Sequence, residues 1–416
     1  MIAAIEVLSS YFRTKRLSRP GLSRADFEAA QTRALARWLH NDLPQVRAYA
    51  AAPARLSDLP ITDKAQLMAQ FHRYNRPGLT AEQAWAGLEG GKIGRLTIGC
   101  STGTSGNRGL FVISEAERFR WLGSILAKCM DGLLTRPSRV AIVLPRDTRL
   151  YHAARRLPWL QLRVFDITIG PVNWRAELES FAPTVLLAPP RLLRHFAESR
   201  YRLQPQRIFA AAETLDPPDR PMIEGYFNRP LDQIYMATEG LFATTCRHGG
   251  LHLAEDATFF EFEPAGDGLV TPLVTAFRRE TQIMARYRMN DLLRLADTPC
   301  SCGSPLRHVH EIVGRMDDCF RLAGGVLLTP DVLRNAVLSA RDIDDFRLVQ
   351  RSGTQVELLL PPELPEASAQ AAATAVQALL NQRSPGVQLT LTRRPLPLDA
   401  TRKLRRVECA LPQALP

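Results

Sequence analysis

Short apolar runs alternate with helix-length amphipathic segments between about residues 95 and 240, and this alternation constrains the fold more than any other feature. The runs expected to form strands are 139–144, 163–167, 184–188, 207–211 and 233–236. Helical patterns occupy 191–199 and 218–227. Strands that alternate with helices predict an α/β sheet covered by helices. Residues 258–295 are richer in strand patterns with turn signals and predict an antiparallel part.

The length of the chain predicts more than one domain. Its 416 residues exceed what a single hydrophobic core usually supports. A helix is expected near 22–40, packed on the main domain. After Arg315 the pattern changes to short strands and two helices, near 330–340 and 366–381. We therefore expect two domains, a large α/β domain over 1–314 and a small α+β domain over 315–416.

The bulk composition narrows the class of protein. Hydrophobic residues make up 45% and charged residues 23%, which is typical of a globular protein. No apolar run approaches the roughly 18 residues that span a bilayer, and the first residues lack the apolar core of a signal peptide. Seven cysteines, an odd number, favour reduced thiols or metal ligation over a disulfide framework. We therefore expect a cytoplasmic protein with no membrane partner.

The chain is basic, and its charge allows two interpretations. It has 53 Lys and Arg against 42 Asp and Glu, a net charge of +11. One interpretation is an arginine bias on solvated faces. The other is a polyanionic partner such as ATP, coenzyme A or an acidic carrier protein. A carrier protein would dock around Arg402, Arg405 and Arg406. No helix-turn-helix, zinc-finger or RNA-recognition pattern accompanies the charge, so no nucleic-acid partner is expected.

A loop rich in glycine and hydroxyl side chains lies at 97–109, between an apolar run and a helical pattern that starts near Ser114. Its hydroxyl residues are Ser101, Thr102, Thr104 and Ser105, and its glycines include Gly103, Gly106 and Gly109. Glycine lets backbone N–H groups approach a ligand, and hydroxyls can donate to phosphate oxygens. The loop lacks the Gly-Lys-Ser/Thr ending of a Walker A motif. It is either an anion-binding loop or a flexible polar turn.

Further motifs follow this loop in a defined order. They are Tyr235-Met-Ala-Thr238-Glu239-Gly240, Tyr287-Arg288-Met-Asn290-Asp291, Gly314-Arg315-Met-Asp317-Asp318 and Pro397-Leu-Asp-Ala-Thr401-Arg402-Lys403. With this order and separation, the chain resembles the adenylate-forming superfamily of acyl-CoA synthetases. Its phenylacetate-CoA ligase branch, which includes capsule-biosynthesis-related members, is indicated by Pro60-Ile-Thr62-Asp63-Lys64, Ala211-Ala212-Glu213 and Cys300-Ser-Cys302-Gly303. The resemblance spans about residues 55–410.

The resemblance implies a fold and a reaction. The fold would be a large adenylate-forming domain with a small mobile C-terminal domain. The enzyme would be an AMP-forming acid–thiol ligase that uses ATP and Mg²⁺ to adenylate a carboxylic acid, an aromatic one in this branch. It would then transfer the acyl group to the phosphopantetheine thiol of an acyl carrier protein or coenzyme A. The alternatives are an aryl-CoA ligase that uses free coenzyme A only, adenylation without thiol transfer, and a non-catalytic binding protein that retains the fold.

The resemblance also assigns roles to residues. ATP and AMP would be bound by Ser101, Thr102, Gly103, Thr104, Ser105, Gly106, Ala212, Glu213, Tyr235, Asp291 and Arg315. Thr238 would contact a phosphate, Glu239 would hold Mg²⁺, and Lys403 would meet the carboxylate and the α-phosphate. Asp317 would be the hinge of the small domain. Candidates for the substrate pocket are Pro189, Ala211, Met236 and Phe242. Without the resemblance, a solvated turn at Thr238-Glu239 and a basic tail at Lys403 would explain the same residues.

Three cysteines and one histidine form a candidate zinc site. Cys246-x5-His252 and Cys300-x-Cys302 supply a closed Cys₃His set, which is a structural type of zinc site. The alternative is a group of reduced thiols and an unrelated surface histidine. The ligase branch sometimes carries a similar cluster, so the resemblance implies zinc here. It further implies that Gly324-Gly325 lines a pantetheine tunnel.

Overall fold

The computed structural model describes residues 2–51, 55–101, 108–130, 137–144, 160–399 and 403–412. Its helices are α1 (Ile2–Leu17), α2 (Arg24–Asn41), α3 (Lys64–Ala69), α4 (Ala81–Ala86), α5 (Glu115–Cys129), α6 (Pro171–Phe181), α7 (Pro190–Glu198), α8 (Asp219–Phe227), α9 (Pro330–Leu338) and α10 (Glu366–Arg383).

The strands divide into a large central sheet and three smaller sheets. They are β1 (Lys92–Ile93), β2 (Leu96–Cys100), β3 (Leu110–Ile113), β4 (Ser138–Leu144), β5 (Leu160–Asp166), β6 (Val185–Ala188), β7 (Arg207–Ala211), β8 (Leu231–Ala237), β9 (Gly240–Thr245), β10 (Leu251–Leu253), β11 (Phe259–Gly266), β12 (Leu269–Thr275), β13 (Tyr287–Arg288), β14 (Asp291–Leu295), β15 (His308–Arg315), β16 (Phe320–Arg321), β17 (Leu327–Leu328), β18 (Arg347–Gln350), β19 (Gln355–Leu360), β20 (Gln388–Arg393) and β21 (Val407–Cys409).

One half of the central sheet is parallel, as the alternating pattern predicted. Its strands run in the order β5-β4-β6-β7-β8, and each neighbouring pair is parallel. β6 and β7 are buried along most of their length because α6, α7 and α8 cover one face of the sheet and α5 packs on the other. This arrangement brings the carboxyl ends of β4, β6, β7 and β8 to one edge, where α/β proteins bind ligands.

The other half of the central sheet is antiparallel, which confirms the expectation for residues 258–295. From β8 the order continues β9-β10-β15-β14-β12-β11, and β13 pairs with β12. The sheet therefore changes from parallel to antiparallel pairing at β8. The turn between β8 and β9 lies at this change.

The helix expected to start near Ser114 is confirmed, and an unpredicted strand lies between the glycine-rich loop and this helix. Residues 110–113 form β3, which pairs antiparallel with β2. The loop therefore connects two strands of a hairpin, because the apolar run after Gly109 folds back on β2. Helix α5 begins only afterwards, where Ser114 and Glu117 form a reciprocal capping box.

The C-terminal region forms a separate layer with its own core. A four-stranded sheet has the order β20-β19-β18-β21, and α9 and α10 cover it. The preceding strand β15 ends at Arg315 and belongs to the central sheet. The two C-terminal helices confirm the segments expected near 330–340 and 366–381. The division at 314 and 315 stays a prediction about where a mobile unit begins.

Two N-terminal helices pack on the large domain. Helix α2 begins after Ser23, which caps it by accepting from the N–H of Asp26, and confirms the helix expected near 22–40. Helix α1 was not predicted; Ser10 and Thr14 hydrogen-bond Ser124 of α5. Among the described helices, none is both long and apolar enough to cross a bilayer.

Candidate functional site

A cavity of about 2020 Å³ opens at the carboxyl edge of the parallel strands and extends to the C-terminal layer. Four strand ends contribute to its wall, namely Leu144 at the end of β4, Pro189 after β6, Ala212 and Glu213 after β7, and Thr238 and Glu239 after β8. The adenylate site implied by the resemblance maps to this cavity. Thr102, Gly103, Thr104, Ser105 and Gly106 lie outside the described residues.

The ends of the glycine-rich loop are held together at the cavity wall. Ser101 N–H donates to the carbonyl of Gly109 at 2.8 Å, and Gly109 N–H donates to Ser101 Oγ at 2.9 Å. Lys64 passes close to this point, since a Cβ on Gly109 would lie 3.1 Å from Lys64 Cε. Gly109 therefore allows the loop base to approach the lysine.

Glu239 lies in a two-residue turn between β8 and β9. Ala237 pairs with Gly240 across this turn, and a bulge after Tyr235 precedes it. Tyr287 Oη donates to Glu239 Oε1 at 2.9 Å, and Arg279 Nη2 donates to the Glu239 carbonyl at 3.2 Å. Burial and this carboxylate raise the pKa of Tyr287, so the phenol remains a donor. The phenol engages one oxygen of the carboxylate, and the second oxygen fits a hard cation such as Mg²⁺.

Lys64 belongs to a motif of the sequence, but the resemblance assigns it no role. It lies in the first turn of α3, after the cap Asp63. Burial lowers the pKa of Lys64, and Glu239 opposes that effect by attraction. The loop base, Lys64 and Glu239 thus bring a cation and a carboxylate to one side of the cavity.

Tyr235 and Asp291 form a direct hydrogen bond between β8 and β14. Tyr235 Oη donates to Asp291 Oδ2 at 2.6 Å. Burial and the adjacent carboxylate raise the pKa of Tyr235 well above its usual value. Arg315 Nε lies 3.8 Å from Asp291 Oδ1. Three residues predicted to contact the nucleoside thus meet in the structure, although the first and the last are 80 residues apart in sequence.

The predicted hinge is attached to the same segment. Asn290 Nδ2 donates to Asp317 Oδ2 at 2.5 Å, and Met316 N–H donates to the Asn290 carbonyl at 2.9 Å. Asp318 pairs with Arg405 at 3.3 Å. Burial raises the pKa of Asp318 to about 6. The chain therefore leaves the large sheet beside the residues that are predicted to contact the nucleoside.

Lys403 reaches the cavity from the C-terminal layer. Burial lowers the pKa of Lys403 to about 8, and the cation of Arg315 adds to this effect. Glu213 and Asp291 oppose it, because both carboxylates are close enough to attract the ammonium. The lysine is therefore largely protonated at neutral pH, close to the groups expected around the α-phosphate.

Glu213 follows β7 through a strained turn. Ala212 has a φ of 69°, in the left-handed region that disfavours residues with a side chain. The carboxylate of Glu213 is buried and lies 2.9 Å from Arg191 Nε on α7. Burial raises the pKa of Glu213 to about 7, against the attraction of Arg191 and Lys403.

Three of the four substrate-pocket candidates line the cavity. Pro189, Ala211 and Met236 contribute to its wall. Phe242 does not, which corrects its proposed place in the pocket. Its ring is buried between Tyr235, at 5.4 Å between centroids, and Phe260, at 6.1 Å. Side chains alternate between the two faces of β9, so Phe242 faces the core while Leu241 lines the cavity.

Buried ion pairs join the C-terminal layer to the large domain. Arg406 contacts Asp216 and Asp219 at 2.7 Å and Asp345 at 3.0 Å, and its side chain is 2% exposed. Arg334 of α9 contacts Asp216 at 3.2 Å. Arg406 therefore cannot belong to the basic docking surface expected around Arg402, Arg405 and Arg406. Arg405 pairs with Asp318 and its side chain is 32% exposed, and Arg402 lies outside the described residues.

The four predicted zinc ligands converge near the turn between β9 and β10. One ligand atom from each of Cys246, His252, Cys300 and Cys302 lies within 4.8 Å of all the others. Cys246 Sγ is 3.7 Å from Cys300 Sγ, and Cys302 Sγ is 3.2 Å from His252 Nε2. The set is compact enough to surround one tetrahedral ion.

The surroundings of this cluster favour metal ligation. His252 Nδ1 lies 2.9 Å from the carbonyl of Leu306. A proton on Nδ1 that donates to this carbonyl leaves Nε2 as the ligand, a common arrangement around zinc. A Cβ on Gly250 would lie 2.6 Å from Cys300 Sγ, so only glycine leaves room for the thiol there. The fit to zinc is good, and the presence of the ion stays a prediction.

Comparison with known proteins identifies the fold of this chain. No protein-family model matches the chain. Protein CapK of Staphylococcus aureus is 29% identical over 165 residues, which span 38% of this chain and 37% of that protein. The structure of 2-hydroxyisobutyryl-CoA ligase in the postadenylation state with R3-HIB-AMP aligns with a TM-score of 0.71 and 17% identity, over 94% of this chain and 90% of that one. The anthranilate CoA ligase AuaEII with anthranoyl-AMP gives 0.51 and 13%, over 73% and 64%.

The chain therefore has the fold of the adenylate-forming acyl-CoA ligases, with a large N-terminal and a small C-terminal domain, as the resemblance implied. The placement of the C-terminal layer relative to the large domain can be compared between two structures of the 2-hydroxyisobutyryl-CoA ligase. The same 2-hydroxyisobutyryl-CoA ligase in its thioesterification state, with 18% identity over 95% of this chain and 91% of that one, aligns with a TM-score of only 0.56. The relative placement of the two domains in this chain is thus nearer to that of the first 2-hydroxyisobutyryl-CoA ligase structure.

The sequence did not identify Arg279, Tyr287 or Arg191, which hold the predicted residues in place. Tyr287 lies in the motif that ends at Asp291, and its phenol was a signal that could have been used. Arg279 and Arg191 lie in no recognisable motif, and only the fold brings them to Glu239 and Glu213.

Proposed function

We propose that this chain is an AMP-forming acid–thiol ligase. It adenylates a carboxylic acid with ATP, releases pyrophosphate, and then transfers the acyl group to a phosphopantetheine thiol. The convergence of Glu239, Asp291 and Lys403 on one cavity is the observation that carries the proposal. These residues come from three separate motifs, and the shared fold supports the same conclusion.

Several residues of the cavity would have separate roles in the first step, which is adenylation. Asp291, oriented by Tyr235, would accept hydrogen bonds from the ribose hydroxyls. Lys403 would place its ammonium between the carboxylate oxygen and the α-phosphate, where negative charge accumulates. The carboxylate oxygen forms a bond to the α-phosphorus as the bond to pyrophosphate breaks. Lys64 and the loop base at Ser101 would orient the phosphates that leave.

Glu239 would hold Mg²⁺, which when bound neutralises phosphate charge. The turn after β8 fixes this carboxylate, and Tyr287 and Arg279 hold it from two sides. A hydrogen bond to Oε1 leaves the second oxygen to face the cavity. Thr238, in the same turn, would donate its hydroxyl to a phosphate.

An aromatic acid and coenzyme A are the proposed partners. Phe111 and Trp121 line the cavity, and the resemblance to the phenylacetate branch supports an aromatic acyl group. Coenzyme A is favoured over a carrier protein because Arg405 and Arg406 are paired with carboxylates of this chain. Gly324 and Gly325 have positive φ, and a Cβ added at either would meet no atom within 4 Å, which leaves room for a pantetheine arm.

The proposed role of the zinc site is structural. Zn²⁺ held by Cys246, His252, Cys300 and Cys302 would join the 246–252 segment to the loop at 300–302. Gly21 N–H donates to the Gly303 carbonyl at 3.2 Å, so this loop also supports the N-terminal helices. The cytoplasm, where such thiols stay reduced, is the proposed location.

A carboxylate library tests the proposal through ATP-dependent pyrophosphate release. The wild-type protein should release pyrophosphate with one group of acids and form a thioester when coenzyme A is added. Glu239→Gln should lower the rate at least about a hundredfold, the scale of losing one key electrostatic contact. Glu263→Gln, on the exposed edge strand β11, is a matched control that should keep the wild-type rate.

The alternatives give different outcomes in this assay. A conventional aryl-CoA ligase gives thioester with free coenzyme A and none with any carrier protein. A binding protein that retained the fold gives no pyrophosphate with any acid. A rate for Glu239→Gln near that of the wild type would reject the assigned role of this carboxylate.

A further inference from the structure

Arg278 is a charged side chain in the cavity for which the proposed mechanism has no use. It lies after β12, in the turn that follows Phe277, and lines the cavity. Within the described part of the chain, Arg278 makes no hydrogen bond or ion pair. Other arginines around the cavity, such as Arg191, Arg334 and Arg406, each have a carboxylate partner.

The carboxylates near Arg278 are already engaged by other groups. Asp256 contacts Lys128 Nζ at 2.7 Å and accepts from Thr14 Oγ1 at 2.9 Å. Glu6 accepts from Arg120 Nε at 2.9 Å, and Glu280 contacts Arg120 Nη1 at 3.2 Å.

The charge around Arg278 is therefore positive. Arg13, Arg120, Lys128, Arg278 and Arg279 are five cations, against the four carboxylates of Glu6, Glu117, Asp256 and Glu280. Burial, together with Arg13 and Arg120, lowers the pKa of Arg278 to about 10. At neutral pH its guanidinium is still charged. A partly buried cation without a counterion favours a bound anion.

The turn that carries Arg278 also contacts the reaction end of the cavity. The next residue, Arg279, donates to the Glu239 carbonyl at 3.2 Å. Trp38 Nε1 donates to the Arg279 carbonyl at 2.6 Å, and Glu117 Oε1 accepts from the N–H of Glu280 at 2.8 Å. The turn is therefore held from both sides, so Arg278 is presented to the cavity in a defined place.

An apolar wall and a cationic end are combined in this part of the cavity. Trp121, Ala211, Met236 and Leu241 line it and belong to one apolar cluster with α5. Trp121 and Lys128 lie on the cavity side of α5, seven residues or about 10 Å apart along the helix. That length suits an acyl group with an apolar middle and a charged end.

We propose that Arg278 binds a second anionic group on the acid substrate, at the end away from the carboxylate that is adenylated. The inference deepens the proposed function and rests on it for the identity of the reacting carboxylate. The substrate class would be dicarboxylic acids, or acids with another anionic group in place of the second carboxylate. A guanidinium can bind such a carboxylate with two parallel hydrogen bonds.

Binding by calorimetry tests this proposal separately from catalysis. The probes are succinate, adipate and terephthalate, each compared with its own monoamide, added to the full-length protein with saturating AMP. At least one diacid should bind about tenfold or more tightly than its monoamide. In Arg278→Gln that ratio should fall to within about twofold, while Arg278→Lys should retain part of it.

Two controls accompany the variants. Arg202→Gln removes an exposed arginine whose side chain is 88% exposed and should leave the ratio unchanged. Thermal melting reports whether Arg278→Gln is folded, and Arg278→Met serves as the second variant if it is not. Equal binding of every diacid and its monoamide by the wild type, or an unchanged ratio in the variants, would overturn the proposal.

Two further outcomes separate the proposals from each other. Preferential binding of a diacid without pyrophosphate release from any acid supports the anion site and rejects the ligase reaction. Pyrophosphate release from neutral-ended acids alone, with no effect of Arg278→Gln, supports the ligase and rejects the anion site. A loss of coenzyme A affinity in Arg278→Gln, with acid preference intact, would assign the arginine to a coenzyme A phosphate and overturn the proposal.

Discussion

The phenolic oxygen of Tyr235 lies 2.6 Å from Oδ2 of Asp291, which connects the last parallel strand of the central sheet to β14 of its antiparallel half. The hydrogen bond occupies one oxygen of the carboxylate and leaves Oδ1 on the side of Arg315. The aromatic ring and the carboxylate expected at adenine and ribose therefore act as one unit, and the tyrosine fixes the orientation of the carboxylate.

Removing this donor should weaken nucleotide binding. Tyr235→Phe keeps the ring but deletes a hydrogen bond to a charged group, which contributes about 1.5–3 kcal/mol. The KM for ATP should rise about tenfold or more, with a smaller change in kcat. Tyr226→Phe on α8, which loses a hydrogen bond to the carbonyl of Tyr201, is the control and should leave KM unchanged. A KM for Tyr235→Phe equal to that of the wild type would reject this role.

The ammonium of Lys403 should limit adenylation at high pH. Its pKa in the free protein is lowered to about 8, mainly by burial, so it loses its charge as the pH rises through that value. The kcat/KM for pyrophosphate release should therefore fall above about pH 8, since this ratio reports the free enzyme. Lys403→Arg should move the fall to higher pH, because guanidinium stays charged.

The two half-reactions should depend on Lys403 to different degrees. The substitution Lys403→Ala should nearly stop the formation of acyl-AMP from ATP. The variant enzyme should still convert supplied acyl-AMP with coenzyme A at close to the wild-type rate. Lys92→Ala, at an exposed position on β1, is the control. Equal losses in both half-reactions would indicate a folding or thiol-transfer role instead.

The buried arginine of the C-terminal layer should stabilise the adenylation pose. Arg406 spans Asp216 and Asp219 on the large domain, and loss of one partner of a buried ion pair costs about 3–5 kcal/mol. Arg406→Met should lower the melting temperature and slow pyrophosphate release more than thioester formation from acyl-AMP. Arg351→Gln, which loses an exposed pair with Glu357, is the control. Unchanged melting and rates would show that these ion pairs do not hold the pose.

Zinc should be present at about one ion per chain. Elemental analysis of protein purified without chelator measures it directly, and Cys302→Ser should reduce the content. The variant should melt at a lower temperature with little change in catalytic constants, because the cluster would join two loops away from the cavity. Cys129→Ser, a buried cysteine of α5 outside the cluster, is the control and should keep the zinc. Protein that contains no zinc would remove the claim.

The periodic parts of the fold could be predicted from the sequence. The parallel strands β4, β6 and β7 are short apolar runs between amphipathic segments, and such runs are buried whatever the details of the loops. Helix α1 was not predicted because an exposed stripe of Ile5, Leu8 and Phe12 interrupts the usual amphipathic pattern. The hairpin of β2 and β3 was missed because four apolar residues before Ser114 do not by themselves reveal a strand.

The site could be predicted only where a motif marked it. Glu239, Asp291 and Lys403 belong to motifs, and the structure brings them to one cavity as expected. Phe242 was a candidate for the pocket, yet the alternation of side chains along β9 turns it to the core. The roles of Arg278 and Arg406 could not be predicted, since pairs of adjacent arginines are common in an arginine-rich sequence and do not reveal which member is buried. Only the tertiary contacts separate them from the surface arginines.

The transfer of oxygen from the acid to AMP tests the central claim most directly. The most active acid from the library is labelled with ¹⁸O in its carboxylate and converted with ATP and coenzyme A. Attack of the carboxylate on the α-phosphate, followed by attack of the thiol on the acyl carbon, should leave one ¹⁸O in AMP and none in pyrophosphate. Label in orthophosphate together with formation of ADP, or AMP without label, would contradict the account.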